Sequence, residues 1–87
     1  MISAFHSNFQ AQLRDWILDN KRFAIKIMDI VKATEQDPFN GIGKPEPLKH
    51  HMTGLWSRRI DQEHRIVYQV DEEKGVIIFL SCKGHYN

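Results

Sequence analysis

The hydrophobic residues of this chain change their spacing once, after Pro38, and that change dictates the order of elements. Before it, Phe9, Leu13, Trp16 and Ile17 recur at i, i+4, i+7 and i+8, and Phe23, Ile27, Ile30 and Val31 repeat the pattern. Such spacing predicts amphipathic helices over Ser7 to Asn20 and Lys21 to Glu35. Ser7 is placed to cap the first, and Asp19 and Asn20 separate the two and can cap the second. So short a connection favours an antiparallel helix pair. Asp37-Pro38-Phe39-Asn40-Gly41-Ile42-Gly43 then reads as an ordered loop. From Leu55 onward the period is two. Strands are predicted over Leu55 to Ile60 and His64 to Val70, joined at Asp61-Gln62-Glu63, and over Val76 to Cys82 after the turn Asp71 to Gly75. Ile2 to Phe5 adds a short strand ahead of the helices. The expected fold is α+β, with two N-terminal helices packed on one face of a twisted antiparallel sheet.

With 87 residues the chain is expected to be one domain, 1–87, with a modest core. Its longest apolar run, Val76 to Leu80, is far short of the ~20 residues of a membrane span. Met1-Ile2-Ser3-Ala4-Phe5-His6 has neither the basic nor the apolar region of a signal peptide. Cys82 is the single cysteine, so no internal disulfide forms, and a reducing cytoplasm is the expected setting. Beside an apolar run, Cys82 reads as a packing residue.

A net charge of +1 provides no strong field for nucleic acid. The middle third is locally basic, since Lys44, Lys49, Arg58, Arg59 and Arg65 outnumber Glu46, Asp61 and Glu63. Any contact with nucleic acid is therefore expected to be local and geometric.

Glu46 lies between Pro45 and Pro47, on a stiff, non-helical segment suited to holding a base still. If Asp61 to Glu63 form a three-residue hairpin loop, Arg59 falls opposite Arg65 on one face. Like charges so placed are unfavourable unless an anion sits between them. Arg58 points to the other face and reads as structural. His85 and Tyr86 continue the last strand, and they offer an imidazole able to protonate a leaving oxygen and a phenol able to stack on a base. Each group alone also has a plain structural reading. Glu46 could be an exposed loop carboxylate, the arginines could pair with Asp61, Glu63 or helix acids, and His85-Tyr86 could be a frayed tail. Together they match RNA transesterification, which needs a base for a 2′-hydroxyl, cations for the phosphate and an acid for the 5′-oxygen.

No metal site is expected. The adjacent His50 and His51 point to different sides, no H-x-x-x-H spacing occurs, and Cys82 has no partner thiol. No nucleophile elbow, Walker loop or dinucleotide fingerprint is present, and no cofactor is expected. Trp16 and Trp56 read as core anchors.

Gly43-Lys44-Pro45-Glu46-Pro47-Leu48-Lys49, Trp56-Ser57-Arg58-Arg59-Ile60, Glu63-His64-Arg65-Ile66-Val67-Tyr68 and the terminal His85-Tyr86 together resemble the YoeB-type toxins. These form the Txe branch of the RelE/ParE superfamily of toxin–antitoxin systems. The resemblance covers nearly the whole chain and implies a RelE-like, microbial-ribonuclease-like fold. It implies a ribosome-dependent endoribonuclease that enters the 70S ribosome and cuts the A-site mRNA codon, leaving a cyclic phosphate. It further implies a homodimer, a cognate YefM-like antitoxin, and contact with operator DNA only through that antitoxin. Residue by residue, Glu46 would be the general base, Arg65 the phosphate and transition-state stabiliser, and His85 the general acid, with Tyr86 positioning the substrate. Lys49 and Arg59 match positions that contact RNA phosphates. Asn87 extends past the usual His-Tyr ending, and the acidic hairpin 71–75 is slightly longer than usual. Two alternatives stand beside this reading: a ParE-like, non-enzymatic toxin that binds gyrase, and a catalytically degenerate antitoxin partner.

Overall fold

The structure, a computed structural model, describes residues 1–84. The chain runs β1 (Ile2–Phe5), α1 (Ser7–Asp19), α2 (Lys21–Gln36), β2 (Glu46–Pro47), a 3₁₀ turn (His50–Met52), β3 (Leu55–Arg59), β4 (Arg65–Asp71) and β5 (Val76–Ser81). The five strands lie in the order β1-β5-β4-β3-β2. Neighbours are antiparallel except β1, which joins β5 in parallel through Ile2↔Val76 to Phe5↔Phe79. The sheet is therefore mixed. A parallel pair needs a long crossover between its strands, and everything from α1 to β4 lies between these two.

The helical spacing translates directly into packing. Phe9, Trp16, Ile27 and Ile30 are buried against Ile66, Tyr68, Ile77, Phe79 and Cys82 of the sheet, with Leu13, Phe23, Val31 and Trp56 at the margin. Each large side chain so buried contributes about 1.5–3 kcal/mol. Ile17 falls outside this stripe and is 46% exposed. Trp16 Nε1 donates to Cys82 O at 2.9 Å, fixing α1 to the end of β5. Burial pushes the Cys82 thiol up to about 12, so this cysteine packs and does not react.

The cap of α1 is His6 and not Ser7. His6 N–H still belongs to the sheet, donating to Phe79 O at 2.9 Å. His6 is thus the last extended residue, and its Nδ1 accepts the Asn8 N–H at 3.0 Å. Asn20 serves both helices. Its N–H donates to Trp16 O at 2.7 Å to close α1, and its Oδ1 accepts from Phe23 N–H at 3.4 Å to open α2.

β2 is absent from the pattern-based prediction because it has only two residues, one of them a proline with no N–H. It survives as an edge strand, where a missing donor costs nothing. Leu48 N–H extends the pairing to Leu55 O at 2.8 Å.

Candidate active site

Register assembles the site. Glu46 pairs with Ser57, Ser57 with Val67, and Val67 with Ser81, making one row across β2, β3, β4 and β5. The next row along the same face is Arg59 opposite Arg65. Glu46 and Arg59 are thus diagonal neighbours, about 7–8 Å apart between Cα atoms. A bulge between β4 and β5 skips Leu80, so that Ser81 joins this row although Phe79 and Cys82 both face the core. Ser57, Val67 and Ser81 form a buried floor, while Glu46 and Arg59 are exposed at its rim. Ser81 Oγ has no hydrogen-bond partner among the described residues.

Among the described residues, no carboxylate is paired with either arginine. Arg65 Nη1 donates to two backbone carbonyls, Asp61 O at 2.8 Å and His64 O at 3.3 Å. The Asp61 carboxylate instead takes the N–H groups of His64 and Glu63. Those bonds, the His64 one foremost, hold Asp61 below the usual carboxylate range. The one ion-pair geometry among the described residues joins His64 Nε2 and Glu63 at 3.6 Å. Arg59 and Arg65 therefore stand in cross-strand register with no carboxylate paired to either among the described residues.

Arg58 lies on the opposite face, wholly buried and paired with Ile66. Its guanidinium donates to Tyr68 Oη at 3.2 Å, Ile42 O at 3.1 Å and Asn40 O at 3.0 Å, and also to Asp37 O. Tyr68 Oη in turn donates to Pro38 O at 2.7 Å. Burial raises the Tyr68 hydroxyl above its ordinary pKa, which keeps it a donor. This strut fastens the loop 37–42 onto β3. The loop continues through Gly43, whose carbonyl accepts from Arg59 N–H at 2.6 Å. Lys44 follows at φ 51°, a left-handed conformation that is uncommon outside glycine and marks functional sites. Glu46, the expected base, is therefore presented by a tethered loop.

His64 has a role that the sequence did not reveal. Its Nδ1 accepts the Gly84 N–H at 2.9 Å, and Arg65 N–H donates to Gly84 O at 2.8 Å. The imidazole is held edge-on to Trp16, with ring centroids 4.9 Å apart. Gly84 is thus gripped from both sides. The expected acid His85 and its neighbour Tyr86 lie outside the described residues. Lys49 is exposed just before the 3₁₀ turn that carries His50 and His51. Among the described residues, no cluster of three or more His, Cys, Asp or Glu could hold a metal ion. No helix of the structure is long and apolar enough to cross a membrane.

Comparison with known proteins matches this geometry to a family. The family of YoeB-like toxins of bacterial type II toxin–antitoxin systems matches residues 5–86. A YoeB toxin of Escherichia coli O6:H1 is 48% identical over 71 residues, covering 82% of each chain. A YoeB/ParE toxin from Agrobacterium tumefaciens superposes with a TM-score of 0.93 at 37% identity, over 99% of this chain and 100% of that one. A YoeB dimer from Staphylococcus aureus gives 0.87 at 37% identity, and a YoeB–YefM complex from the same organism gives 0.85 at 38%. Each covers 99% of this chain and 98% of its own. The helix pair on its five-stranded sheet, with Glu46, Arg59 and Arg65 on the open face, belongs to a member of the YoeB-like toxins of type II toxin–antitoxin systems.

Proposed function

We propose that the chain is a ribosome-dependent endoribonuclease that cuts the mRNA codon in the ribosomal A site. The register that carries Glu46 through Ser57 to the Arg59–Arg65 row supports this reading most directly. Glu46 takes the proton of a ribose 2′-hydroxyl, and the 2′-oxygen attacks the adjacent phosphorus. Arg65 stabilises the charge that develops on the phosphoryl oxygens, and Arg59 and Lys49 hold neighbouring phosphates. The 5′-oxygen leaves with a proton from His85, while Tyr86 positions the nucleotide. A 2′,3′-cyclic phosphate and a 5′-hydroxyl result, so the proton inventory closes within these side chains.

The partners that follow are the 70S ribosome with its mRNA, a YefM-like antitoxin and a second copy of the chain, in a bacterial cytoplasm. The similarity to a YoeB dimer and to a YoeB–YefM complex supports the last two partners. The reading is tested by incubating the purified chain with programmed ribosomes and sequencing the mRNA ends, beside a gyrase supercoiling assay. A-site cuts bearing cyclic phosphates are expected. Inhibited supercoiling with intact mRNA would overturn the reading in favour of a gyrase-binding toxin.

A further inference from the structure

Past Phe79, β5 loses its neighbour on one side, because the chain leaves β1 at His6 and turns into α1. One face of α1 takes the place of the missing strand. Phe9, Gln12 and Trp16 recur at i, i+3 and i+7, so they line one stripe of the helix. Gln12 Oε1 accepts the Cys82 N–H at 2.7 Å, and Trp16 Nε1 donates to Cys82 O at 2.9 Å. Two residues on, Gly84 N–H donates to His64 Nδ1 at 2.9 Å, and Gly84 O accepts from Arg65 N–H at 2.8 Å. The two clamps share a wall. Trp16 packs against the His64 ring, and Lys83 Nζ lies 5.3 Å from the centre of the Trp16 ring. Four hydrogen bonds thus fix the backbone on both sides of Lys83. Gln12 is half-buried and stands outside the apolar cluster that Phe9 and Trp16 enter. Holding it in one rotamer costs more entropy than holding a leucine would, and the return is the bond to Cys82.

We propose that Gln12 is a positioning residue for protonation of the leaving oxygen, because its bond to Cys82 N–H fixes where the backbone departs from β5, three residues before His85. The inference rests on the reading of His85 as the general acid. In that step the bond from phosphorus to the 5′-oxygen breaks, and the His85 proton passes to the departing oxygen. Displacing an acid by about 1 Å costs up to about a hundredfold in rate. Glu46, Arg59 and Arg65 stand on β2, β3 and β4, and none of them touches Gln12 through a hydrogen bond among the described residues. Loss of the Gln12 acceptor therefore falls on leaving-group protonation and spares the base and the phosphate-binding row.

The test uses an mRNA with sulfur in place of the bridging 5′-oxygen, at the bond that the parent chain cuts on ribosomes. A thiolate leaves without a proton. A defect confined to the acid therefore disappears on this substrate, whereas a defect in the base, the arginines or the fold persists. Gln12→Met keeps the length of the side chain and removes the acceptor, and Gln12→Glu keeps an acceptor. Gln12→Met is expected to cut the oxygen substrate about ten- to a hundredfold more slowly than the parent, and the sulfur substrate within about threefold of it. Gln12→Glu is expected to recover most of the rate on oxygen. Both rates come from one sample, so an unfolded fraction cancels in their ratio. Equal losses on the two substrates, no loss on either, or no recovery by Gln12→Glu would overturn the proposal. His85→Ala is the control, expected to lose more on oxygen and to regain its rate on sulfur. If His85→Ala gains nothing from sulfur, the acid assignment itself fails, and Gln12 has no acid to position.

Discussion

Arg59 stands directly opposite Arg65 on adjacent antiparallel strands, and no carboxylate is paired with either among the described residues. Two like charges in cross-strand register work against the fold by up to about 1 kcal/mol. A phosphate between them would turn that repulsion into binding. We predict that Arg59→Gln leaves the melting temperature unchanged or slightly higher while lowering ribosomal mRNA cleavage at least tenfold. Thermal melts and single-turnover cleavage check the two halves separately. A variant that loses stability and retains activity would show that Arg59 serves the fold.

The Tyr68 hydroxyl connects Arg58 Nε to Pro38 O. Tyr68→Phe leaves a buried guanidinium with one acceptor fewer and should cost about 1–3 kcal/mol. In a chain this short, each kcal/mol lowers the melting temperature by about 4–8 °C. Arg58→Met removes the three bonds to Asp37 O, Asn40 O and Ile42 O of the 37–42 loop and should cost more. Urea denaturation of both variants measures the order.

Gly43 has φ +81°, and a Cβ there would lie 3.0 Å from Arg59 O and 3.1 Å from Arg58 Cβ. Both neighbours belong to a sheet strand and cannot yield. Gly43→Ala is therefore predicted to destabilise the fold and to push the Lys44–Glu46 segment away from β3. Activity should fall by more than the unfolded fraction accounts for, which circular dichroism and cleavage on the same sample can separate.

Two aspartates contribute to the acid dependence of stability. Asp61 and Asp37 each accept two backbone N–H bonds, and the leading bonds, from His64 and Phe39 respectively, lower their pKa values. A carboxyl group with a depressed folded-state pKa contributes stability above its unfolded value of about 3.9. That contribution is lost as pH falls through the lower folded value. Stability should therefore decline below about pH 4, and Asp61→Asn, which keeps an acceptor but no charge, should flatten the decline. Denaturation midpoints measured between neutral and acidic pH give the slope.

The helix pair and the β3–β4 hairpin were legible because their signals are local. Apolar spacing fixes the helices, and counting across Asp61 to Glu63 puts Arg59 opposite Arg65. Features that depend on distant residues were not legible. The partner of β1 is some 70 residues away in the chain, so its parallel direction has no local signature. β2 is two residues with a proline, too short for any period. The bulge at Leu80 puts Ser81 beside Val67 against simple alternation. His64 carried no local signal of its role, whereas its acceptor nitrogen holds Gly84 while its ring packs edge-on against Trp16.

That grip predicts a division of labour at His64. His64→Phe preserves the aromatic contact with Trp16 but removes the acceptor for Gly84 N–H. The loss to stability should be small, about 1 kcal/mol. Cleavage should fall further, because Gly84 directly precedes the proposed acid. His64→Asn, which restores an acceptor, should recover part of the activity.

The most direct test of the account compares toxin-primed mRNA cleavage on ribosomes by the parent chain, Glu46→Ala and His85→Ala, each verified as folded. Loss of a general base or general acid predicts rates lower by about 10²–10⁴-fold in each variant. Full activity in both would contradict the assignment of base and acid, and with it the reading of this face as a ribonuclease site.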